Sequence, residues 1–243
     1  MNSTKLERYS IITEKNPREI LLLRGRGCAW RRCRFCDYHK DFSRNEEENF
    51  KLNAPLLDLV TGKYPTLEII NSGSFVDLDA NTIAKIKDVC VKKQIKKLHF
   101  ECHWVHKDSI KAFKESFAGI GVTVKIKIGV ETFDSLFRES YLVKGIDTDS
   151  PEEIASYCDE VCPLQGIPGQ TKDSMLRDIE TGLRLFERVC VNIMVENTAS
   201  IKPDPRVIQT FVDEIYPIYI SNPRVDILLQ NTDFGVGGNV QYE

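Results

Sequence analysis

Short β-branched or leucine-rich runs alternate with longer amphipathic runs along the chain, which is the pattern of repeated βα units. The short runs predict strands at EILLLRG (19–25), TLEIINSGSF (66–75), KKLHFEC (96–102), VTVKIKIGVET (122–132), EVCPLQGIPGQT (160–171), VCVNIMVEN (189–197) and RVDILLQ (224–230). The amphipathic runs predict helices over 45–62, 79–93, 107–117, 150–158, 172–186 and 205–215. This order predicts an α/β fold in which parallel βα repeats form a partial (β/α)6 TIM-like barrel.

The residues that follow each predicted strand are where function is expected, because parallel βα barrels form their active sites at the carboxyl ends of the strands. Small and polar residues follow almost every predicted strand, which is more than a purely structural barrel requires. These segments are 24–36, 71–75, 101–103, 131–132, 163–165, 196–197 and 230–234. We therefore expect one active site assembled from several strand ends.

Length and composition indicate a single domain. The chain has 243 residues, of which 42% are hydrophobic and 28% charged, and this is enough for one sizeable core. We expect one domain over 1–243, in which 224–243 forms a last strand and a tail that closes the substrate side. The sequence has neither an apolar run of about 18 to 20 residues nor a signal-peptide core. We therefore expect a cytoplasmic protein without a membrane anchor.

The net charge and the positions of the cysteines further limit the kinds of protein that this chain can be. The net charge of −3 provides no overall basic field for binding phosphates, so no stable nucleic-acid complex is expected. In a reducing compartment, eight cysteines favour metal ligands or catalytic thiols over a disulfide framework. Most of the cysteines are scattered along the chain and are expected to be core residues.

The exceptions are Cys28, Cys33 and Cys36, which cluster in the loop after the first predicted strand, separated by four residues and then by two. Thiolates at this spacing suit an iron-sulfur cluster or zinc, because both are soft-ligand sites. With His39 as a fourth ligand, the cluster would be a zinc knuckle, and the neighbouring arginines would bind RNA. Without a fourth ligand, the three thiolates would leave one iron of a [4Fe-4S] cluster open.

The cysteine cluster, with Phe35 immediately before its last cysteine, resembles that of the radical SAM superfamily. The four-residue first gap departs from the commonest spacing of that family, which is three and then two. The resemblance implies a [4Fe-4S] cluster whose open iron binds the amino and carboxylate groups of S-adenosyl-L-methionine (SAM). It also implies that one electron from the reduced cluster breaks a carbon-sulfur bond of SAM and yields a radical that removes hydrogen from the substrate.

Several other strand ends match the superfamily position by position. Ser72-Gly73-Ser74 lies where the family binds the methionine amino group, although the usual terminal glutamate is absent. The resemblance implies cofactor-binding roles for Phe35, Tyr38, Ser72, Gly73, Ser74, Glu101, Glu131 and Gln165. Taken singly, the Ser-Gly-Ser stretch also fits a tight turn, and each glutamate also fits a solvated strand end.

Within the superfamily, SGSF, GVETFDSLFRESYLVKG and PGQT resemble enzymes that act on 7-deazaguanines, and the length is similar to that of the small bacterial queuine lyases. This implies cleavage of the side-chain carbon-nitrogen bond of queuine, which releases 7-aminomethyl-7-deazaguanine for queuosine salvage. It also implies a reducing partner such as flavodoxin or ferredoxin. The alternatives are another radical SAM enzyme, acting on a small metabolite or on a 7-deazaguanine base in tRNA, and a zinc-knuckle RNA-binding protein.

The substrate that the resemblance implies predicts which residues would bind it. A guanine-like edge presents N–H donors, so a binding site needs a carboxylate or carbonyl acceptor together with an aromatic face. The candidates at the predicted barrel mouth are Asp233 with Phe234, Glu196 with Asn197, and Tyr38. The candidates for the cyclopentene diol are His103, Asn71 and Arg26, although His103 also fits a structural histidine. Lys144 is the catalytic candidate, to orient a carboxylate or protonate a leaving amine, unless it is a surface lysine.

Overall fold

A computed structural model of the chain describes residues 7–229, apart from the side chain of His39. Eight strands form one sheet whose spatial order follows the order of the chain. The strands are β1 (Tyr9–Ile12), β2 (Arg18–Leu23), β3 (Thr66–Asn71), β4 (Lys97–Glu101), β5 (Thr123–Glu131), β6 (Glu160–Gln165), β7 (Arg188–Ile193) and β8 (Val225–Leu228). All neighbours from β2 to β8 pair in parallel, and the sheet curls into a partial TIM-like barrel, as the sequence predicts.

Helices follow most of the parallel strands and cover the outside of the sheet. The α-helices are α1 (Glu46–Leu57), α2 (Ala80–Lys92), α3 (Ile110–Ala118), α4 (Pro151–Tyr157), α5 (Lys172–Leu185), α6 (Pro205–Thr210) and α7 (Tyr216–Tyr219). Polar side chains begin several of them: the Ser150 hydroxyl accepts from Glu153 N, and the Asp79 carboxylate accepts from Thr82 N. Within residues 7–229, no helix is both long and apolar enough to cross a membrane.

Apart from the ends of strands, three features differ from the sequence prediction. Strand β1 was not predicted; it pairs antiparallel with β2, and its four half-buried residues give no strong alternation. A single wide turn of π-helix, Phe137–Leu142, was also missed. The predicted helix 205–215 is helical over its whole length, but it changes from the α-helix α6 to a π-helical turn, Phe211–Ile215, before α7 begins.

The main hydrophobic core lies between the sheet and the helices. Strand residues such as Leu67, Ile69 and Phe100 are fully buried there, against helix residues such as Ile86 and Phe117. Because side chains alternate along a strand, the residues between these core positions point to the inner, concave face of the sheet. The side chains of the inner face can therefore be polar or charged, unlike those of the core.

The inner face is built in three layers of side chains, each two residues further along strands β3 to β8 than the one before. The charged layer consists of Arg18, Glu68, His99, Lys127, Glu160, Arg188 and Asp226. The middle layer consists of Leu22, Ile70, Glu101, Gly129, Cys162, Cys190 and Leu228. The upper layer consists of Ser72, His103, Glu131, Leu164 and Asn192. The charged layer thus forms the bottom of the partial barrel, and the upper layer faces the cysteine loop.

Candidate active site

A cavity of about 730 Å³ occupies the inside of the partial barrel, between the charged layer and the cysteine loop. It brings together many of the residues predicted from sequence: Cys28, Cys33, Phe35, Cys36, Tyr38, Asn71, Ser72, Gly73, Glu101, His103, Glu131, Lys144, Glu196 and Asn197. These residues come from separate strand ends, as the barrel prediction requires. Their convergence on one cavity is the first structural support for a shared site.

The cysteine loop is tied to three other segments through its main chain. Cys28 N donates to Ser72 O at the end of β3, with a distance of 2.9 Å. Arg34 N donates to Leu142 O over 3.0 Å, and Ile201 N donates to Arg34 O over 2.9 Å. The loop therefore has a defined shape although it contains little regular secondary structure.

Trp30 fixes the loop from the side. Its indole Nε1 donates to Val143 O over 2.8 Å, and its ring stacks near the ring of His103, with 5.9 Å between centroids. Gly145 lies directly against the indole, so that a Cβ added there would come within 2.4 Å of the ring. Gly145 also has a φ of +77°, a backbone conformation that favours glycine. The irregular segment after the π-helical turn is thus shaped to receive Trp30.

The three loop cysteines are free thiols, partly buried in the cavity wall. Burial raises the pKa of Cys33 to about 11 and that of Cys36 to about 12. Both thiols are therefore protonated at neutral pH, and a metal must displace their protons when it binds. Among residues 7–229, no three Cys, His, Asp or Glu side chains converge closely enough to hold a single metal ion. The side chain of His39 lies outside the described residues.

A buried ion pair stands beside the cysteines. Lys144 Nζ donates to Glu131 Oε1 over 2.6 Å, and both side chains are about nine-tenths buried. Burial alone would lower the pKa of Lys144, but the charge of Glu131 raises it well above its usual value. The Lys144 ammonium also lies 5.7 Å from the centre of the Phe35 ring. Lys144 is therefore a permanent positive charge inside the site and not a surface lysine.

Local backbone irregularities direct Glu131 into the cavity. The β5–β6 pairing shifts register between Gly129 and Glu131, opposite Pro163, which has no N–H to donate to the ladder. Glu131 has a φ of +66°, which is uncommon for a residue with a side chain. A Cβ on Gly129 would lie 2.7 Å from Glu131 Oε1, so glycine leaves the space that the ion pair occupies.

His103 lines the cavity, but both of its ring nitrogens have main-chain partners. Nε2 lies 3.0 Å from Lys144 O, an acceptor, so Nε2 carries the proton and Nδ1 accepts from Val105 N over 3.3 Å. Burial, reinforced by the charge of Lys144, lowers the pKa of His103 to about 3. His103 is thus neutral at physiological pH, and its ring nitrogens are already occupied.

Some predicted residues lie away from the cavity lining. Ser74 accepts from His103 N and Gln165 accepts from Gln170 Nε2, and both are fully buried. Arg26 is exposed and lies 3.6 Å from Glu46. Glu196 lines the cavity at an exposed position and pairs with Lys202 over 2.9 Å. Asp233 and Phe234 fall outside the described residues.

Several cavity residues were not predicted at all: Lys127, Gly129, Cys162, Cys190 and Asn192. They occupy alternate positions within strands and not the segments after them. Polar residues at alternate positions of a strand usually indicate a solvated face. One signal in the sequence could have identified this face. Every parallel strand carries a charged residue or a histidine on its inner side, toward its amino-terminal end.

Comparison with solved structures finds a close relative over the whole chain. Queuine lyase from Clostridium spiroforme, in a structure bound to SAM and queuine, has a TM-score of 0.90 and 41% sequence identity, covering 96% of this chain and 100% of that chain. Streptococcus suis SuiB with its precursor peptide SuiA has a TM-score of 0.52 at 14% identity, which shows a similar fold only, and this chain spans 48% of its length. No family model and no curated protein matches the chain.

Proposed function

The chain belongs to the queuine lyase family of radical SAM enzymes, and we propose that it uses SAM to cleave the side-chain carbon-nitrogen bond of queuine, releasing 7-aminomethyl-7-deazaguanine. The observation that carries this proposal is 41% identity, over 96% of this chain, to a queuine lyase bound to both molecules. The cavity supports the same function, since a three-cysteine loop lines a partly open space of about 730 Å³. Pockets for small ligands commonly have this size.

Cys28, Cys33 and Cys36 would hold a [4Fe-4S] cluster. Their fit rests on the chemistry of the donor set: three free thiols from one tethered loop line the same cavity, and thiolates are the usual ligands of such clusters. When bound, the cluster and SAM together supply the radical chemistry that breaks the substrate bond. The positive charge of Lys144 stabilises the thiolate form of Cys33 and Cys36, because it opposes the effect of burial on their pKa values.

The upper layer and the segments beside it would bind SAM. Ser72 and Gly73 lie next to Cys28, where the amino group of a cluster-bound methionine would be held. Glu131 offers a carboxylate whose charge is balanced by Lys144 and whose position is set by the backbone bulge. Phe35 and Tyr38 provide aromatic surface at the same end of the cavity. Lys144 then acts mainly as the partner of Glu131.

Ser74 and Gln165 would contribute indirectly. Ser74 binds the main chain of His103, and Gln165 binds Gln170 at the start of the segment before α5. Both contacts fix the ends of strands that line the cavity. We assign them positioning roles, since neither side chain reaches the cavity lining.

Queuine would occupy the rest of the cavity. Asn71 and Asn197 line it, and Asn71 Oδ1, which has no hydrogen-bond partner among residues 7–229, suits the diol, while Glu196 lies at the exposed rim. We further propose one domain over 1–243, because β8, which ends the described sheet, contributes Leu228 to the cavity wall. Enclosure of the substrate by these elements would exclude water from the reacting atoms.

A small acidic electron carrier, such as flavodoxin or ferredoxin, would reduce the cluster. Arg31, Arg32 and Arg34 are exposed around the cysteine loop, and within residues 7–229 none of them forms an ion pair. Each guanidinium instead lies over an aromatic ring, those of Phe42, Trp30 and Tyr141 respectively. Fixed, unpaired cations of this kind favour association with a negatively charged partner.

The test is an anaerobic turnover experiment. The protein is reconstituted with iron and sulfide, mixed with dithionite, SAM and queuine, and the products are analysed by liquid chromatography and mass spectrometry. We expect 5'-deoxyadenosine and 7-aminomethyl-7-deazaguanine together, and loss of both in Cys33→Ala. Cys158→Ala is the matched control, because Cys158 is buried in the core and away from the cavity.

Each other outcome has a defined meaning. If 5'-deoxyadenosine forms without the deazaguanine product, the cofactor assignment stands and the substrate assignment is wrong. If neither product forms and the purified protein carries zinc, the cysteine loop is a zinc site. If Cys158→Ala is inactive to the same extent as Cys33→Ala, the loop cysteines have no special role.

A further inference from the structure

The middle layer of the partial barrel is unusually empty. Interior layers of packed βα barrels are filled by bulky branched side chains. Here, three successive strands place Gly129, Cys162 and Cys190 in the middle layer, and all three line the cavity. The cavity therefore extends past the upper layer and reaches the charged layer, where Lys127 forms part of its floor.

Glu101 is the one charged residue of the middle layer. Its Oε1 lies 3.3 Å from Lys127 Nζ, while Lys127 makes a shorter contact of 2.6 Å with Glu68. Within residues 7–229, Glu101 accepts no other hydrogen bond and forms no other ion pair. Its side chain is 35% exposed to the space that it lines. Glu101 is thus a carboxylate with unused acceptor capacity deep inside the site.

The cations near Glu101 are already neutralised by other carboxylates. The charged layer contains the cations Arg18, Lys127 and Arg188 and the carboxylates Glu68, Glu160 and Asp226. Apart from His99, these three cations and three carboxylates balance, and Glu101 is in excess. Burial raises the pKa of Glu101 accordingly. A ligand that donates hydrogen bonds to this carboxylate would relieve the cost of its burial.

The surroundings of Glu101 suit a flat, N–H-rich ring. Leu22, Ile70 and Leu228 supply aliphatic walls from three strands of the same layer. In the upper layer, Asn192 lines the cavity, and its buried Oδ1 has no hydrogen-bond partner in the part of the chain that the structure describes. Apolar walls with a small number of convergent acceptors are the pattern of a site for a planar heterocycle with several donors.

We propose that Glu101 determines base specificity by accepting the N–H groups on the guanine-like edge of the substrate, with Lys127 holding the carboxylate in position. The inference rests on the proposed function and adds a residue to it, since the sequence resemblance implied a cofactor role for Glu101. The reacting carbon-nitrogen bond must lie on the cysteine side of the cavity. The base, which does not react, then occupies the middle layer.

The substrate amine is the main competing partner for Glu101, because a secondary ammonium also attracts a carboxylate. The layers argue against it. Glu101 belongs to the middle layer and Glu131 to the upper layer, which lies two residues further along the strands, or about 7 Å. The amine belongs to the reacting bond and therefore lies nearer the Glu131 end, beside the cysteines.

The experiment measures ligand binding by anaerobic calorimetry in reconstituted wild type, Glu101→Gln and Glu101→Asp. The ligands are SAM, queuine, 7-deazaguanine and 7-deazahypoxanthine, which lacks the 2-amino group. Glu187→Gln is the matched control, because Glu187 pairs with Lys125 at an exposed position outside the cavity. Circular dichroism melting verifies that every variant is folded.

We expect Glu101→Gln to lose about 10- to 100-fold in affinity for queuine and for 7-deazaguanine, the equivalent of one hydrogen bond to a charged group. Its preference for 7-deazaguanine over 7-deazahypoxanthine should disappear, while SAM affinity stays unchanged. Glu101→Asp should retain part of the preference, and Glu187→Gln all of it.

Four results would overturn the inference: unchanged base preference in Glu101→Gln, loss of affinity for queuine alone, loss of SAM affinity in place of base affinity, or failure of the wild type to bind any of the bases. The first three leave queuine cleavage intact as a function. If the wild type binds 7-deazaguanine through Glu101 but does not cleave queuine, the base-reading inference stands and the proposed function fails.

Discussion

Replacing Lys144 with methionine removes one charge of the buried ion pair and keeps the length of the side chain. Lys144 Nζ and Glu131 Oε1 are 2.6 Å apart, and the two side chains are only 11% and 8% exposed. The carboxylate of Glu131 would then be buried without a counter-charge. Breaking a buried pair in this way costs about 3–5 kcal/mol of unfolding free energy.

An exposed pair of the same geometry is the matched control. Lys172 Nζ lies 2.6 Å from Glu214 Oε2, but these side chains are 45% and 48% exposed. The same Lys→Met change at position 172 should cost much less unfolding free energy, because water screens the pair and solvates the carboxylate that remains. The difference between the two variants therefore measures the effect of burial.

A double variant separates two effects of Lys144→Met: the loss of attraction between Lys144 and Glu131, and the burial of the Glu131 carboxylate without a counter-charge. Lys144→Met combined with Glu131→Gln leaves no uncompensated carboxylate, so it should be more stable than Lys144→Met alone, even though it contains one more substitution. An additive result, in which the second change destabilises further, would mean that Glu131 finds another counter-charge or water when Lys144 is absent.

Urea unfolding of the metal-free protein, followed by circular dichroism, supplies the free energies. In a melting experiment, 3–5 kcal/mol corresponds to a fall in Tm of about 6–20 °C for a chain of this size. The folded-state pKa of Lys144 is raised above the unfolded value of 10.5, so its contribution is fully present below pH 10.5 and is lost as the pH rises beyond that. The cost should therefore be the same from about pH 6 to 9. A loss no larger than that of Lys172→Met would refute the reasoning.

Three further predictions concern the glycines and one buried acid. Gly145→Ala should cost at least about 2 kcal/mol in urea unfolding and reduce iron loading, because the new Cβ meets Trp30 at a φ of +77°. Gly129→Ala should leave the protein folded but weaken SAM binding in calorimetry, since its Cβ would lie 2.7 Å from Glu131 Oε1. Burial raises the pKa of Asp178 from 3.8 to about 6, so the folded state binds more protons in this range and stability falls as the pH rises through it. Asp178→Asn should abolish this fall and add about 1–3 kcal/mol at pH 8.

The fold could largely be predicted from the sequence because the outward face of each parallel strand is strongly apolar. The predicted strands at 66–75, 160–171 and 189–197 extended too far, since β3, β6 and β7 end at Asn71, Gln165 and Ile193. The small and apolar residues after those ends belong to cavity segments, which are also buried. Residues buried in the cavity wall and residues buried in a strand show the same small or apolar character in the sequence.

The site was predictable where its residues follow strands and unpredictable where they lie inside them. The cysteines and Ser72-Gly73 stand in loops with a recognisable spacing. Lys127, by contrast, alternates with apolar residues in the way that solvated strand residues do. Only the curvature of the sheet, which depends on all of the strands together, converts that polar face into an interior.

The charged layer explains how a partial barrel can keep an empty middle layer. Apolar residues of similar volume would stabilise a bottom layer at least as well as buried ions do, so ion pairs here are not needed for stability alone. Their geometry is specific: Glu68 contacts Arg18 and lies 2.6 Å from Lys127 and 3.7 Å from Arg188, and so links residues of four strands. Lys127 is therefore held from below, and the position of its charge beneath Glu101 is determined by the whole layer. A cavity floor of apolar side chains would close the same space without orienting any carboxylate above it.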